Sequence, residues 1–188
     1  MRRHLIALVL GLTLLAPPAW SLEIGGVTLP ETLTIDGQAL VLNGAGLRKK
    51  FFVKVYAGGL YLTEKSQDAA EIIAADAPMA IRMHFIHDGI SPEKLKGTWN
   101  EGFDNATGGN TAPLKKAIDE FNGLFTKEVR EGDVYDLIHQ PGRGVTLEIA
   151  GKAVGTVPGL DFKRALFGIW LGDKPADKGL KRGMLGQD

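Results

Sequence analysis

The stretch Asn43 to Leu62, NGAGLRKKFFVKVYAGGLYL, constrains this chain more than any other. It opens with what reads as a glycine-rich turn, places Arg48 just after it, and runs on as a long β-type segment. A strand sends alternate residues to opposite faces. On that rule Phe51, Val53, Val55, Ala57 and Tyr61 share an apolar face, while Arg48, Lys50, Phe52, Lys54 and Tyr56 share a face carrying charge. Gly58 and Gly59 interrupt the run, which marks a bulge, a bend or a close approach to the backbone. Two readings fit the charged face. In one, Arg48 sits at the mouth of a pocket with Tyr56 deeper on the same face; a permanently charged guanidinium with five donors suits a carboxylate or a phenolate-like oxygen. In the other, Arg48-Lys49-Lys50 is a surface basic patch solvating the start of an edge strand. Spacing alone favours the patch.

Residues 1–21 read as a secretory signal peptide. Arg2 and Arg3 form the positive start, Leu5 to Leu15 is an uncharged apolar run, and Ala19-Trp20-Ser21 offers small residues for cleavage. The run is too short to span a bilayer comfortably. Residues 22–188 then form a single domain, and no other segment is apolar enough to span a membrane. An export signal on such a body points to the periplasm. The full chain has 22 basic and 22 acidic residues, so losing Arg2 and Arg3 leaves a net charge near −2. With no basic stripe interleaved with aromatics, nucleic acid is not an expected partner. The chain has no cysteine, so an exported domain must be held by its core alone, and thiol chemistry is excluded.

Short alternating runs, Val27 to Leu29, Leu33 to Ile35 and Ala39 to Leu42, predict a small antiparallel meander, with Asp36-Gly37 as a hairpin signal. A short helix over Asp68 to Ala75 follows Ser66 as candidate cap. Met79 to Asp88 returns to strand. Ser91-Pro92-Glu93 starts a helix bearing Leu95, Trp99 and Phe103 at helical spacing. A second helix from Thr111 carries a wide apolar stripe. Strands follow over Asp133 to Gln140, Val145 to Ile149 and Lys152 to Val157, then a helix over Leu160 to Leu171. The tail Asp177 to Gly186 reads as a last short helix or irregular basic cap. This order predicts an α+β fold, a large antiparallel sheet covered on one face by helices.

Most catalytic constellations fail. His84 and His87 face opposite ways on a strand, His139 stands alone, and no metal or cofactor site is expected. No serine nucleophile turn is present. Gly44-Ala45-Gly46 lacks the helix that a phosphate cradle needs. Trp99 reads first as core and second as the wall of an apolar pocket.

The segment Gly44-Ala45-Gly46-Leu47-Arg48 followed by Phe52 to Leu62 resembles the chalcone isomerase superfamily, as does Phe162 to Gly172 followed by Leu180 to Gly186. The ending Leu185-Gly186 is similar to that of the exported bacterial branch. The resemblance covers roughly residues 38–186 and implies a chalcone isomerase-like open-faced β-sandwich. The superfamily holds enzymes that close a chalcone to a flavanone and non-enzymatic members that bind fatty acids in the equivalent cleft. Arg48 matches the family arginine that holds the reacting oxygen. Tyr56 falls on the enzymes' threonine and resembles the tyrosine of the fatty-acid binders. The enzymes' tyrosine, asparagine and last-helix hydroxyl fall near Ser91, Thr98 and Ala165, with Asn100 close by.

What the resemblance implies is a non-catalytic binder of a small amphipathic anion such as a fatty acid. Arg48 and Tyr56 would clamp the carboxylate, and Phe52, Trp99 and Phe103 would line a groove for the alkyl chain. Two alternatives stay open. One is an intramolecular lyase of the chalcone isomerase type, with Arg48 catalytic, acting on an enone. The other is an envelope accessory protein with a collapsed cleft and a protein partner.

Overall fold

The computed structural model describes residues 21–187; apart from Ser21, the expected leader lies outside the described residues. Strands β1 (Ser21–Ile24) and β2 (Val27–Pro30) form a separate hairpin. Seven further strands make one antiparallel sheet in chain order: β3 (Thr32–Ile35), β4 (Gln38–Lys50), β5 (Val53–Leu62), β6 (Met79–Phe85), β7 (Val134–Gln140), β8 (Gly144–Ile149) and β9 (Lys152–Val157). The helices are α1 (Ala69–Ala74), α2 (Pro92–Thr107), α3 (Lys115–Gly123), α4 (Leu160–Leu171) and α5 (Lys178–Met184), with a 3-10 turn over Ala112–Leu114 leading into α3. This is the predicted α+β class, and each of these helices contributes to the core on one sheet face. Among the described residues, no helix is long and apolar enough to cross a membrane.

The Asp36-Gly37 turn is as expected: φ is 48° at Asp36 and 82° at Gly37, the paired positive values of a two-residue hairpin loop. The stretch Asn43 to Leu62 differs from its reading. The chain reverses at Phe51-Phe52, where Phe51 takes φ 56°, so this is a hairpin of two strands. Gly44 to Gly46 is strand rather than turn. Arg48 and Tyr56 are therefore cross-strand partners rather than neighbours along one strand. Two bulges break the ladder: Asn43 and Val55 each lack an opposite residue.

The Gly58-Gly59 pair does not interrupt β5. A Cβ on Gly58 would lie 2.8 Å from Met184 Cε of α5, and one on Gly59 would lie 3.2 Å from Leu29 Cδ1 of β2. Each glycine thus admits a different neighbour on a different face. The face opposite the helices is not bare: Leu29, Leu40, Leu42, Ala57, Tyr61 and Ala80 form a second core beneath the β1–β2 hairpin. There the Tyr61 hydroxyl donates to the Pro30 carbonyl at 2.9 Å.

Local capping refines the sequence reading. Asp68, not Ser66, caps α1, its Oδ1 accepting from the amides of Ala70 and Glu71. Ser91 caps α2 as expected, with Pro92 in the first turn. Lys163 of α4 is fully buried, and its ammonium donates to the carbonyls of Ile72, Ile73 and Ala75 at 2.7, 3.0 and 2.8 Å, closing the end of α1. Burial pushes that ammonium down to about 8, with the Arg164 charge adding to the effect. His139 does not stand alone: its Nε2 meets Asp76 Oδ1 at 2.9 Å.

Candidate functional site

The β4–β5 hairpin, β6, α2 and α4 enclose a cleft of about 460 Å³. Its floor and walls are apolar, drawn from Val55, Met83, Phe85, Leu95, Ile169 and Trp170. The strand residues are there because alternate positions of β6 face the helices, and the helix residues because Leu95 and Trp99 recur at one-turn spacing on α2. Trp99 packs edge-on against Trp170, with ring centroids 5.7 Å apart, and Tyr56 packs edge-on against Phe85 at 5.5 Å. These contacts brace two walls of the cleft without filling it.

One end of the cleft is polar. Tyr56 is buried, and its hydroxyl accepts a hydrogen bond from Trp170 Nε1 at 2.8 Å. Among the described residues its own proton meets no acceptor. Burial raises the phenol to about 12, so the group is a neutral donor at any ordinary pH. Arg48, across the ladder, is one-fifth exposed. Its Nη1 donates to the Lys49 carbonyl at 2.6 Å and lies 3.7 Å from Asp177 Oδ2. Among the described residues, Nε and Nη2 of Arg48 donate to nothing, which leaves open the edge that grips a carboxylate through two parallel bonds. Lys50, Lys94 and Lys174 add positive charge around the rim, with Glu101 the acid among the lining residues.

Arg48, Tyr56 and Trp99 line one cleft. Phe52 does not: it is fully exposed at the hairpin tip. The bulge at Val55 shifts the alternation, so Val53, Val55 and Tyr56 all line the cleft, while Phe52 and Lys54 turn away. Phe103 is fully buried against Phe121 and Phe162, behind the wall rather than on it. Trp170 and Asp177 were missed as site residues. A tryptophan N–H in an apolar helix needs a partner, and that requirement was the available signal.

The positions where the resemblance places the enzymes' other polar groups are occupied differently. Ser91 Oγ accepts from the Lys94 amide at 3.3 Å as the cap of α2, and Ser91 does not line the cleft. Thr98 lines the cleft, but its hydroxyl donates to the Lys94 carbonyl at 3.0 Å. Asn100 bonds Asn122 of α3 at 2.7 Å, and Ala165 brings no polar side-chain atom. Among the described residues, no group of three or more His, Asp or Glu side chains is placed to hold a metal ion.

A helix-backed antiparallel sheet enclosing an apolar cleft with one cationic end is the architecture of a small-ligand binding fold. The family model described as chalcone isomerase-like matches residues 21–186, and the chain belongs to that family. It is similar to fatty-acid-binding protein 1 of Arabidopsis thaliana, at 22% identity over 191 residues, covering 85% of this chain and 67% of that protein. It also resembles the crystal structure of an Arabidopsis thaliana fatty-acid-binding protein, with TM-score 0.70 and 20% identity over 88% of this chain and 96% of the other.

Proposed function

We propose that this protein is a non-catalytic binder of a fatty acid or similar small amphipathic anion, of the family's exported bacterial branch, working in the periplasm after residues 1–21 are removed. The observation that carries the reading is the pairing of Arg48 with Tyr56 at the polar end of an apolar cleft. A carboxylate there accepts charge-assisted bonds from the open edge of Arg48 and a neutral bond from Tyr56. The alkyl chain lies along Val55, Phe85, Leu95 and Ile169. The volume falls within the about 300–1,000 Å³ of small-molecule sites. The similar plant protein, named as a fatty-acid-binding protein, points the same way.

Cyclisation of an enone needs a polar set that stabilises a developing oxygen charge better than the ground state. Here Ser91 lies outside the cleft lining, the Thr98 hydroxyl donates to a backbone carbonyl, and Ala165 brings no side-chain donor. That speaks against the lyase reading. The open cleft speaks against an accessory role built on a collapsed one.

The test is titration of dodecanoate into purified protein and into Arg48→Ala. Loss of a hydrogen bond to a charged group is expected to weaken binding by about 1.5–3 kcal/mol. Equal affinity of the two proteins would sink the clamp. Because Tyr56 stays protonated, binding is expected to hold from neutral pH up to about 10, and to fail only as the ligand's own carboxyl protonates.

A further inference from the structure

The tip of the β4–β5 hairpin lies beyond the Arg48–Tyr56 pair, and it has an unusual surface. Six consecutive residues, Lys49 to Lys54, are exposed. Phe51 is 89% exposed and Phe52 is 102% exposed, with Val53 beside them at 45%. Exposed apolar residues scattered singly need no explanation, but three in a row at a protruding turn do. Lys49, Lys50 and Lys54 flank them, and no acidic residue occurs between Asp36 and Glu64. The turn is held out by two paired strands of 13 and 10 residues.

We propose that this tip docks the protein on an anionic lipid bilayer. Phe51, Phe52 and Val53 enter the boundary between headgroups and acyl chains, while the three lysines meet the anionic headgroups. Lysine stems reach back along apolar surface and keep the charge at headgroup level, so both parts of the tip are accommodated together. A membrane suits this shape better than a folded protein does. Two phenylalanine side chains bury about 150–250 Å² each, well short of the about 800 Å² per partner that a stable protein interface takes. A bilayer accepts a narrow wedge without a complementary socket. The position matters as well: Lys50, Phe51 and Val53 also line the cleft, so a docked tip brings the cleft mouth to the membrane surface. Docking itself does not rest on what fills the cleft.

The experiment is vesicle flotation. The protein is expressed as the full chain, recovered after processing, and its N-terminus verified by mass. Vesicles of equal parts phosphatidylglycerol and phosphatidylcholine are compared with phosphatidylcholine alone. The protein is expected to float with the anionic vesicles and to be released at about 1 M salt, where screening falls to about 3 Å. Phe52→Ser, which lies outside the cleft lining, is expected to lower the partition about tenfold or more. Lys54→Ala is expected to lower it about fivefold. Both variants should bind dodecanoate in solution as the parent does. Arg48→Ala should still float, which separates failure of docking from failure of the binding reading. Absence of flotation, or flotation unchanged in both variants, overturns the proposal. So does self-association of the parent that Phe52→Ser abolishes, which would assign the tip to a second copy of the chain.

Discussion

Two parts of one sheet face are built by opposite means. Under α5 the strands are stripped of side chains. A Cβ on Gly44 would run into the Gly183 carbonyl oxygen, and one on Gly58 would lie 3.0 Å from Leu180 Cδ1. The helix backbone therefore rests almost on the strand backbone, and the Asn43 amide pins it by donating to the Met184 carbonyl at 2.8 Å. A few residues on, the same two strands carry Arg48, Val55 and Tyr56. There α2 and α4 meet side chains instead of backbone, and the cleft remains between them. Close packing is the default of a protein interior. A stable opening therefore needs rigid bulk on its walls, which the Tyr56–Phe85 and Trp99–Trp170 contacts supply.

The largest break in this contrast comes from the closed part. Gly44→Val is expected to cost at least about 3 kcal/mol, because the obstacle is backbone and cannot rotate away. Urea unfolding measures it. The paired control is Gly97→Ala on α2, where a Cβ meets nothing within 4 Å. It is expected to stabilise by about 0.5–1 kcal/mol, from helix propensity alone. If the two glycines behaved alike, the close approach of α5 would not be what holds that end shut.

A second test concerns α4, whose far end lines the cleft while Lys163 near its start is locked under α1. Lys163→Met leaves three carbonyls without their donor, and a loss of about 1–3 kcal/mol is expected at pH 7. The pH dependence separates this lysine from ordinary core packing. Its folded pKa is about 8, below the ordinary value of 10.5, so the unfolded chain binds more protons between those values. The lysine's contribution to stability is thus expected to rise with pH across that window. The stability gap between parent and Lys163→Met should widen there, and parallel curves would refute the burial cost. Dodecanoate affinity of the variant reports whether the locked start of α4 also holds the cleft wall in place.

Much of this architecture was legible because local chemistry and periodicity agree. Asp36-Gly37 announces its hairpin, Ser91-Pro92-Glu93 announces α2, and the apolar parity of Ile81, Met83 and Phe85 announces the inner face of β6. The Phe51-Phe52 reversal was not legible, since neither residue is a usual turn former and only the positive φ of Phe51 betrays it. The Val55 bulge was equally silent. A single unpaired residue shifts the alternation on either side of it, so the parity that groups Phe52 with Tyr56 in the groove gives way to Val53 and Val55 lining it. Arg48 and Tyr56 meet across the hairpin rather than along one strand. Even spacing along one imagined strand and pairing across a real hairpin happen to place both residues on one face. Phe103 shows the limit of helical spacing: it lies one turn from Trp99, but the stripe is wide enough that α3 covers it. Asp177, more than a hundred residues away from Arg48, gave no sequence signal at all.

That aspartate joins the closed part to the open one, and it supports the smallest and sharpest test. Asp177 Oδ1 caps α5 by accepting from Gly179 and Leu180 at 2.8 and 3.0 Å, while Oδ2 accepts from the Lys49 amide at 3.0 Å and lies 3.7 Å from Arg48 Nη1. One carboxylate therefore holds the helix start and competes for the guanidinium. Asparagine caps a helix as well as aspartate does, so Asp177→Asn is expected to cost no more than about 1 kcal/mol of stability, through the Lys49 bond. It removes the negative charge nearest Arg48. Dodecanoate affinity is then expected to rise, by about 0.2–1 kcal/mol, the range for a partly exposed ion pair, with a steeper salt dependence than the parent. A fall in affinity would mean that Asp177 aims Arg48 into the cleft more than it neutralises it. In that case the tight packing of α5 would be a requirement for binding, and not merely the opposite of the open cleft beside it.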